Sequence, residues 1–87
     1  MKIKPQAVRE LSVAIGGDVS REHAIAVLRK AASHATRATT RFKKEAHNRG
    51  LFRQKPYNEL WVHDWLYIIV TKDSDRLAIR SCFRMTM

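Results

Sequence analysis

His63, Arg80 and Arg84 are the residues of this chain best suited to chemistry. An imidazole moves protons near neutral pH, and a guanidinium grips phosphate with a rigid fork of donors. Metal-free cleavage of a phosphodiester needs a base, an acid and such a clamp. Asp64 follows His63, and a carboxylate partner favours the protonated imidazole. Adjacent strand residues point to opposite faces, so the Asp64 carboxylate is expected to face away from His63. On that view His63 is a surface histidine of a strand or turn. By the same period of two, Arg80 and Arg84 share a strand face ~13 Å apart, too far for one phosphate to bridge.

Other chemistry finds little support. His23, His34 and His47 are spaced by eleven and thirteen residues, and none has a partner at i, i+4. No metal site and no cofactor is expected from that pattern. There is no glycine-rich phosphate loop, nucleophile elbow or carboxylate pair, and Asp73 and Asp75 read as turn residues. The single cysteine, Cys82, excludes an internal disulfide and sits among strand-like neighbours, where it reads as core.

Charge is the strongest compositional signal. Residues 29–55 hold nine cations (Arg29, Lys30, Arg37, Arg41, Lys43, Lys44, Arg49, Arg53 and Lys55) against one acid, Glu45. Residues 1–28 carry net +1 and residues 56–87 net zero, within a total of +9. So uneven a field attracts polyanions, which places a nucleic-acid contact surface in residues 29–55. His34 and His47 border that run and can add phosphate contacts. An acidic protein surface is the other partner that this charge fits.

Eighty-seven residues make a single small domain, 1–87. The longest strongly apolar run is the six residues 65–70, far short of a membrane span. Lys2 and Lys4 are followed by Pro5 rather than by an apolar leader segment, so a cytoplasmic protein is expected.

The elements that must position these groups follow from the pattern. Met1–Lys4 alternates like a short strand. Pro5 suits a helix start, Val8, Leu11 and Ile15 form an apolar stripe, and Gly16-Gly17 ends a helix over 5–15. Ser20 caps a second helix, over 21–48, in which Val27, Leu28, Ala31, Ala35, Ala38, Phe42 and Ala46 share one face. Arg29, Lys30, Arg37, Arg41 and Lys44 lie opposite. That helix would be ~40 Å long, and Thr36, Thr39 and Thr40 mark where it bends or breaks. Residues 49–58 read as a basic linker.

From Leu60 to Thr71 the aromatic and β-branched content predicts strand, divided at His63-Asp64. A turn at 72–75 leads to a last strand over 76–85. There Leu77, Ile79, Ser81 and Phe83 alternate with Ala78, Arg80, Cys82 and Arg84. The fold class is α+β, with an N-terminal helical hairpin packed on a C-terminal antiparallel meander and a short N-terminal strand. Trp61, Trp65, Tyr67 and His63 share a strand face, which is core against the helices if buried and a base-stacking platform if exposed. The segment VAIGGDVSREHAIAVLRKA also has the outline of a helix-turn-helix, with an overlong turn.

PQAVRELSVAIGGDVSREHAIAVLRK (5–30) and LYIIVTKDSDRLAIRSCFR (66–84), in that order, resemble the RelE/ParE-like toxin superfamily. The resemblance implies a small basic toxin of a toxin–antitoxin pair, of the type that cuts messenger RNA on the ribosome. Its partners would be RNA, the ribosome and an acidic antitoxin. It places Arg80 and Arg84 at the family's basic position on the last strand, with His63 and Lys55 as looser counterparts. The strand over 65–71 carries no arginine, where active RNA-cutting members place one nearby. Beside this stands a non-catalytic reading, a phage or plasmid-type regulator or inhibitor that occupies nucleic acid or an acidic protein surface.

Overall fold

The computed structural model describes residues 1–85. Among these residues the protein is α+β, with three helices and one five-stranded sheet. In chain order the elements are β1 (Lys2–Ile3), α1 (Pro5–Ile15), α2 (Arg21–His34), β2 (Thr36–Arg37), α3 (Thr40–Asn48), β3 (Asn58–His63), β4 (Leu66–Asp73) and β5 (Arg76–Arg84). The sheet order is β1-β5-β4-β3-β2. β3, β4 and β5 form the expected antiparallel meander, but β1 joins β5 in parallel, so the sheet is mixed. Among the described residues no helix is long and apolar enough to cross a membrane.

α1 keeps the bounds read from the sequence. Pro5 occupies its first turn, and Gly16, at φ 84°, takes the left-handed conformation that lets its N–H reach the Ser12 carbonyl. Its buried stripe is Ala7, Leu11 and Ala14 rather than Val8, Leu11 and Ile15, because small residues let the helix lie close on the sheet. Val8 is only partly buried and Ile15 is exposed. Between α1 and α2, the five residues 16–20 exceed a helix-turn-helix turn, and both inner faces are spent on the sheet.

The expected helix over 21–48 is two helices. α2 ends at Ala35, whose ψ of 150° is extended, and Thr36 and Arg37 then pair with Val62 and Trp61 at the sheet edge. Thr39 caps α3 by accepting a hydrogen bond from the Phe42 N–H at 3.3 Å. A helix of ~40 Å would outrun a molecule whose longest extent is 33 Å. The break also divides the alanine stripe between the two sheet faces. Ala31 packs with α1 and α2 on one face, while Ala38 and Ala46 pack beneath α3 on the other. Replacing Thr39 with alanine is expected to cost about 1 kcal/mol. The measurement is a urea titration, in which the midpoint falls at an unchanged slope.

The first core joins α1 and α2 to Leu66, Ile68, Val70, Ile79 and Cys82. The second lies under α3 and the following loop, and holds Phe52, Leu60, Tyr67, Ile69 and Met85. Thus Trp61 and Tyr67 do not share a face. Trp61 packs on the first core, Tyr67 is buried in the second, and Trp65 lies in the β3–β4 turn.

β5 departs from simple alternation. Ile69 pairs with Ser81 and Val70 with Ile79, which leaves Arg80 as an extra residue, a β-bulge. The bulge changes the phase of the strand, so Ile79 and Cys82, three apart, both enter the first core. Arg80 and Arg84 therefore do not share a face by period two.

Candidate nucleic-acid interface

The bulge turns Arg80 outward where three other segments converge. The parallel β1–β5 pairing sets Lys2 beside Ala78, and the Lys4 N–H donates to the Ile79 carbonyl at 2.9 Å. That brings the start of α1 against the bulge, so Gln6 and Arg9, three residues apart on one helix side, face it. From below, the Lys72 N–H donates to the Tyr57 carbonyl at 2.9 Å and ties the end of β4 to the loop.

The result is two adjoining clefts. The outer one, about 770 Å³, is lined by Lys4, Arg9, Lys72, Arg80 and Tyr57, with Pro5, Gln6 and Thr71. The inner one, about 180 Å³, lies between α1 and the loop after α3, and is lined by Gln6, Arg53, Asn58, Arg80 and Ser81 with Phe52 and Ile69 on its apolar side. Gln6 and Arg80 belong to both, and no acid is among the described lining residues, although the Glu10 carboxylate accepts a hydrogen bond at 3.0 Å from the Ser81 hydroxyl of the inner cleft. Five cations beside an exposed tyrosine give the described cleft walls a positive field suited to phosphate.

The loop that completes them is well anchored. Phe52 is buried, the Leu51 N–H donates to the Ala46 carbonyl at 2.9 Å, and His47 donates through Nδ1 to the Phe52 carbonyl at 3.2 Å. Asn58 Nδ2 donates to the Arg53 carbonyl at 3.1 Å. The stretch read as a linker is thus an ordered wall, held by the buried Phe52.

The nine cations of residues 29–55 do not form one face. Arg29 and Lys30 are on α2, where Arg29 donates to the Met1 carbonyl at 3.1 Å. Arg37, on β2, lies 3.6 Å from Glu59, which also accepts from the Trp61 indole N–H at 3.0 Å. Arg41, Lys43 and Lys44 are on α3, across the sheet from α2, and Arg49 at its end bonds Glu45 at 2.9 Å. Arg53 joins the inner cleft, while Lys55 stays on the exposed loop.

His63, Arg80 and Arg84 do not meet. In register, Leu66 lies between His63 on β3 and Arg84 on β5, in one row across the sheet. Arg84 stacks over the Trp65 ring at 5.3 Å, and the His63 and His34 rings are 5.7 Å apart. Asp64 comes within 3.6 Å of His63 Nε2, against the alternation argument, because Asp64 leaves the strand at φ 54°. The contact is solvent-exposed and therefore weak. Arg80 lines the clefts four residues further back, where neither His63 nor Arg84 reaches.

Lys4, Arg9, Tyr57 and Lys72 were not singled out by sequence. They come from segments whose acids balance their cations, so local net charge hides them. The alternation at Met1–Lys4 was the available signal, since pairing that strand with the last one places Lys4 near Arg80.

Cys82 is a core residue. Burial above all, and then the Glu10 carboxylate, push its thiol from 9.0 up to about 12, and Sγ donates to the Ala7 carbonyl at 3.4 Å. A thiol-specific reagent at pH 8 should leave the folded protein unlabelled and react only on unfolding. The unfolded thiol ionises near 9.0 and the folded one near 12, so this site's contribution is intact below pH 9 and lost as pH rises between those values. Fast labelling of the folded protein would overturn the assignment.

Compared with known proteins, the chain matches no family model, no curated protein and no solved structure.

Proposed function

We propose that this protein binds single-stranded RNA, with backbone phosphates in the outer cleft. The observation that carries the proposal is the convergence of Lys4, Arg9, Lys72 and Arg80 around Tyr57 from four separate segments. The clefts are concave and lie between elements rather than on one projecting helix, a shape that suits a flexible strand better than a duplex groove. An exposed tyrosine beside cations suits an unpaired base, which stacks on its ring.

The finer reading is a RelE-like, RNA-directed toxin of the cytoplasm, with the ribosome and an acidic antitoxin as partners. The order of strand, helical hairpin and meander supports it, with the first strand parallel to the last. In its RNA-cutting form Arg80 clamps the scissile phosphate and Tyr57, on the same wall, is placed for proton transfer. The separation of His63 from Arg80 favours a second reading, a binding module that regulates or inhibits without cutting.

The test compares a single-stranded RNA with its duplex and follows affinity against salt. Single strands should bind more tightly, and log K should fall by about 0.7 per log unit of salt for each phosphate contact. Equal affinity for the duplex, or no salt dependence, overturns the proposal. Single-turnover incubation with and without ribosomes separates the two forms: cleaved RNA supports the toxin, and intact bound RNA supports the module.

A further inference from the structure

We infer that the inner cleft takes a nucleobase and selects one that carries an exocyclic amino group, with Asn58 as the specificity-determining residue. The inference rests on the reading of the outer cleft as the phosphate site. The two clefts share Gln6 and Arg80, so a nucleotide whose phosphate meets Arg80 from outside has its base beside the inner cleft. The inner walls suit a base: Phe52 and Ile69 are apolar, and Gln6 and Asn58 supply amide groups, while the Ser81 hydroxyl donates to the Glu10 carboxylate at 3.0 Å.

Asn58 is oriented by the loop. Its Nδ2 donates to the Arg53 carbonyl at 3.1 Å, which fixes the amide so that Oδ1 is the remaining acceptor. Oδ1 is shielded from solvent and receives no hydrogen bond within the protein. A shielded acceptor without a donor is costly, and a ligand N–H that reaches it relieves that cost. Asn58 lines this cleft together with the exposed Arg53 and Arg80, and side chains on that wall must move aside for the base edge to reach Oδ1. A base with an amino group donates there. A base with a carbonyl at that position sets oxygen against oxygen. The cleft therefore discriminates by chemistry rather than by size, as single-stranded RNA readers do on exposed base edges.

The experiment measures binding of five-nucleotide oligocytidylate, oligouridylate, and an oligomer of 2-pyrimidinone nucleotides, in which hydrogen replaces only the amino group of cytosine. Oligocytidylate should bind about 3–10-fold more tightly than either of the others, the effect of one neutral hydrogen bond. In Asn58→Ala the three should bind alike, while Lys72→Ala should weaken all three equally. The ligand comparison in the wild-type protein needs no variant to fold. Salt-dependent binding with no preference among the three overturns this inference and leaves the phosphate reading standing. A preference that survives in Asn58→Ala overturns it as well. Failure of every oligomer to bind removes both readings.

Discussion

Replacing Lys72 and Arg80 together by alanine is expected to weaken single-stranded RNA binding at least ~100-fold, because a hydrogen bond to a charged group is worth about 1.5–3 kcal/mol. The slope of log K against log salt should become shallower by about 1.4, two contacts at ~0.7 each. Both side chains are exposed, so the fold should survive, which thermal denaturation checks. The comparison variant replaces Arg41 and Lys44 on α3, within the stretch where the sequence concentrates charge. Those residues lie outside both clefts and are expected to add only diffuse attraction, screened over ~8 Å at physiological salt. If the α3 pair costs more affinity than the cleft pair, the RNA lies over α3 and the cleft is not its site.

Tyr67→Ala is expected to cost ~3–5 kcal/mol, the range for truncating a buried aromatic. Tyr67 is 6% exposed, stacks on Phe83 with ring centroids 5.5 Å apart, and meets Phe42 at 6.2 Å. It is the largest side chain in the core that seals α3 to the sheet, so its removal opens a cavity that few neighbours can fill. Small domains hold only about 5–15 kcal/mol in all, so the variant should be substantially unfolded at 37 °C. Trp65→Ala is expected to cost less than about 1 kcal/mol, mainly an exposed cation–π contact with Arg84. Trp65 is 42% exposed at the hairpin tip. Urea titrations of the two variants decide it. Equal destabilisation would mean that the second core does not lie under α3 as described.

These two results bear on how far the chain could be read without its structure. Helix α1, the cap at Ser20, the two strands divided near His63-Asp64 and the turn before Arg76 are local events. Each is set by residues within a few positions: Pro5 and Gly16 at the ends of α1, the Ser20 hydroxyl accepting from the His23 N–H, and β-branched runs between polar turns. The α+β class followed from these. The core role of Cys82 was also legible, because it lies within an apolar run.

Face assignments were not legible. Trp61 and Tyr67 are both odd-numbered, yet the two-residue turn at Asp64-Trp65 reverses the chain and places them on opposite faces, with Trp61 across from Ile68 and Tyr67 across from Val62. The bulge at Arg80 lets Ile79 and Cys82 both enter the first core, and alternation along β5 alone cannot reveal it. A single helix over 21–48 satisfied its own periodicity. It gave way because Leu60, Tyr67 and Ile69 on the second sheet face need cover, which α3, turned back after β2, and the loop after it supply.

The sequence by itself determined a small, strongly basic α+β chain, the ends of its first helix and the strands of its meander, because caps, turns and hydrophobic periods act over a few residues. Tertiary packing alone brings the cleft cations together. Lys4, Arg9, Lys72 and Arg80 lie up to 76 positions apart and belong to segments of nearly balanced charge. They meet because β1 runs parallel beside β5 and a bulge turns Arg80 toward them, and electrostatic potential depends on distance in space rather than along the chain.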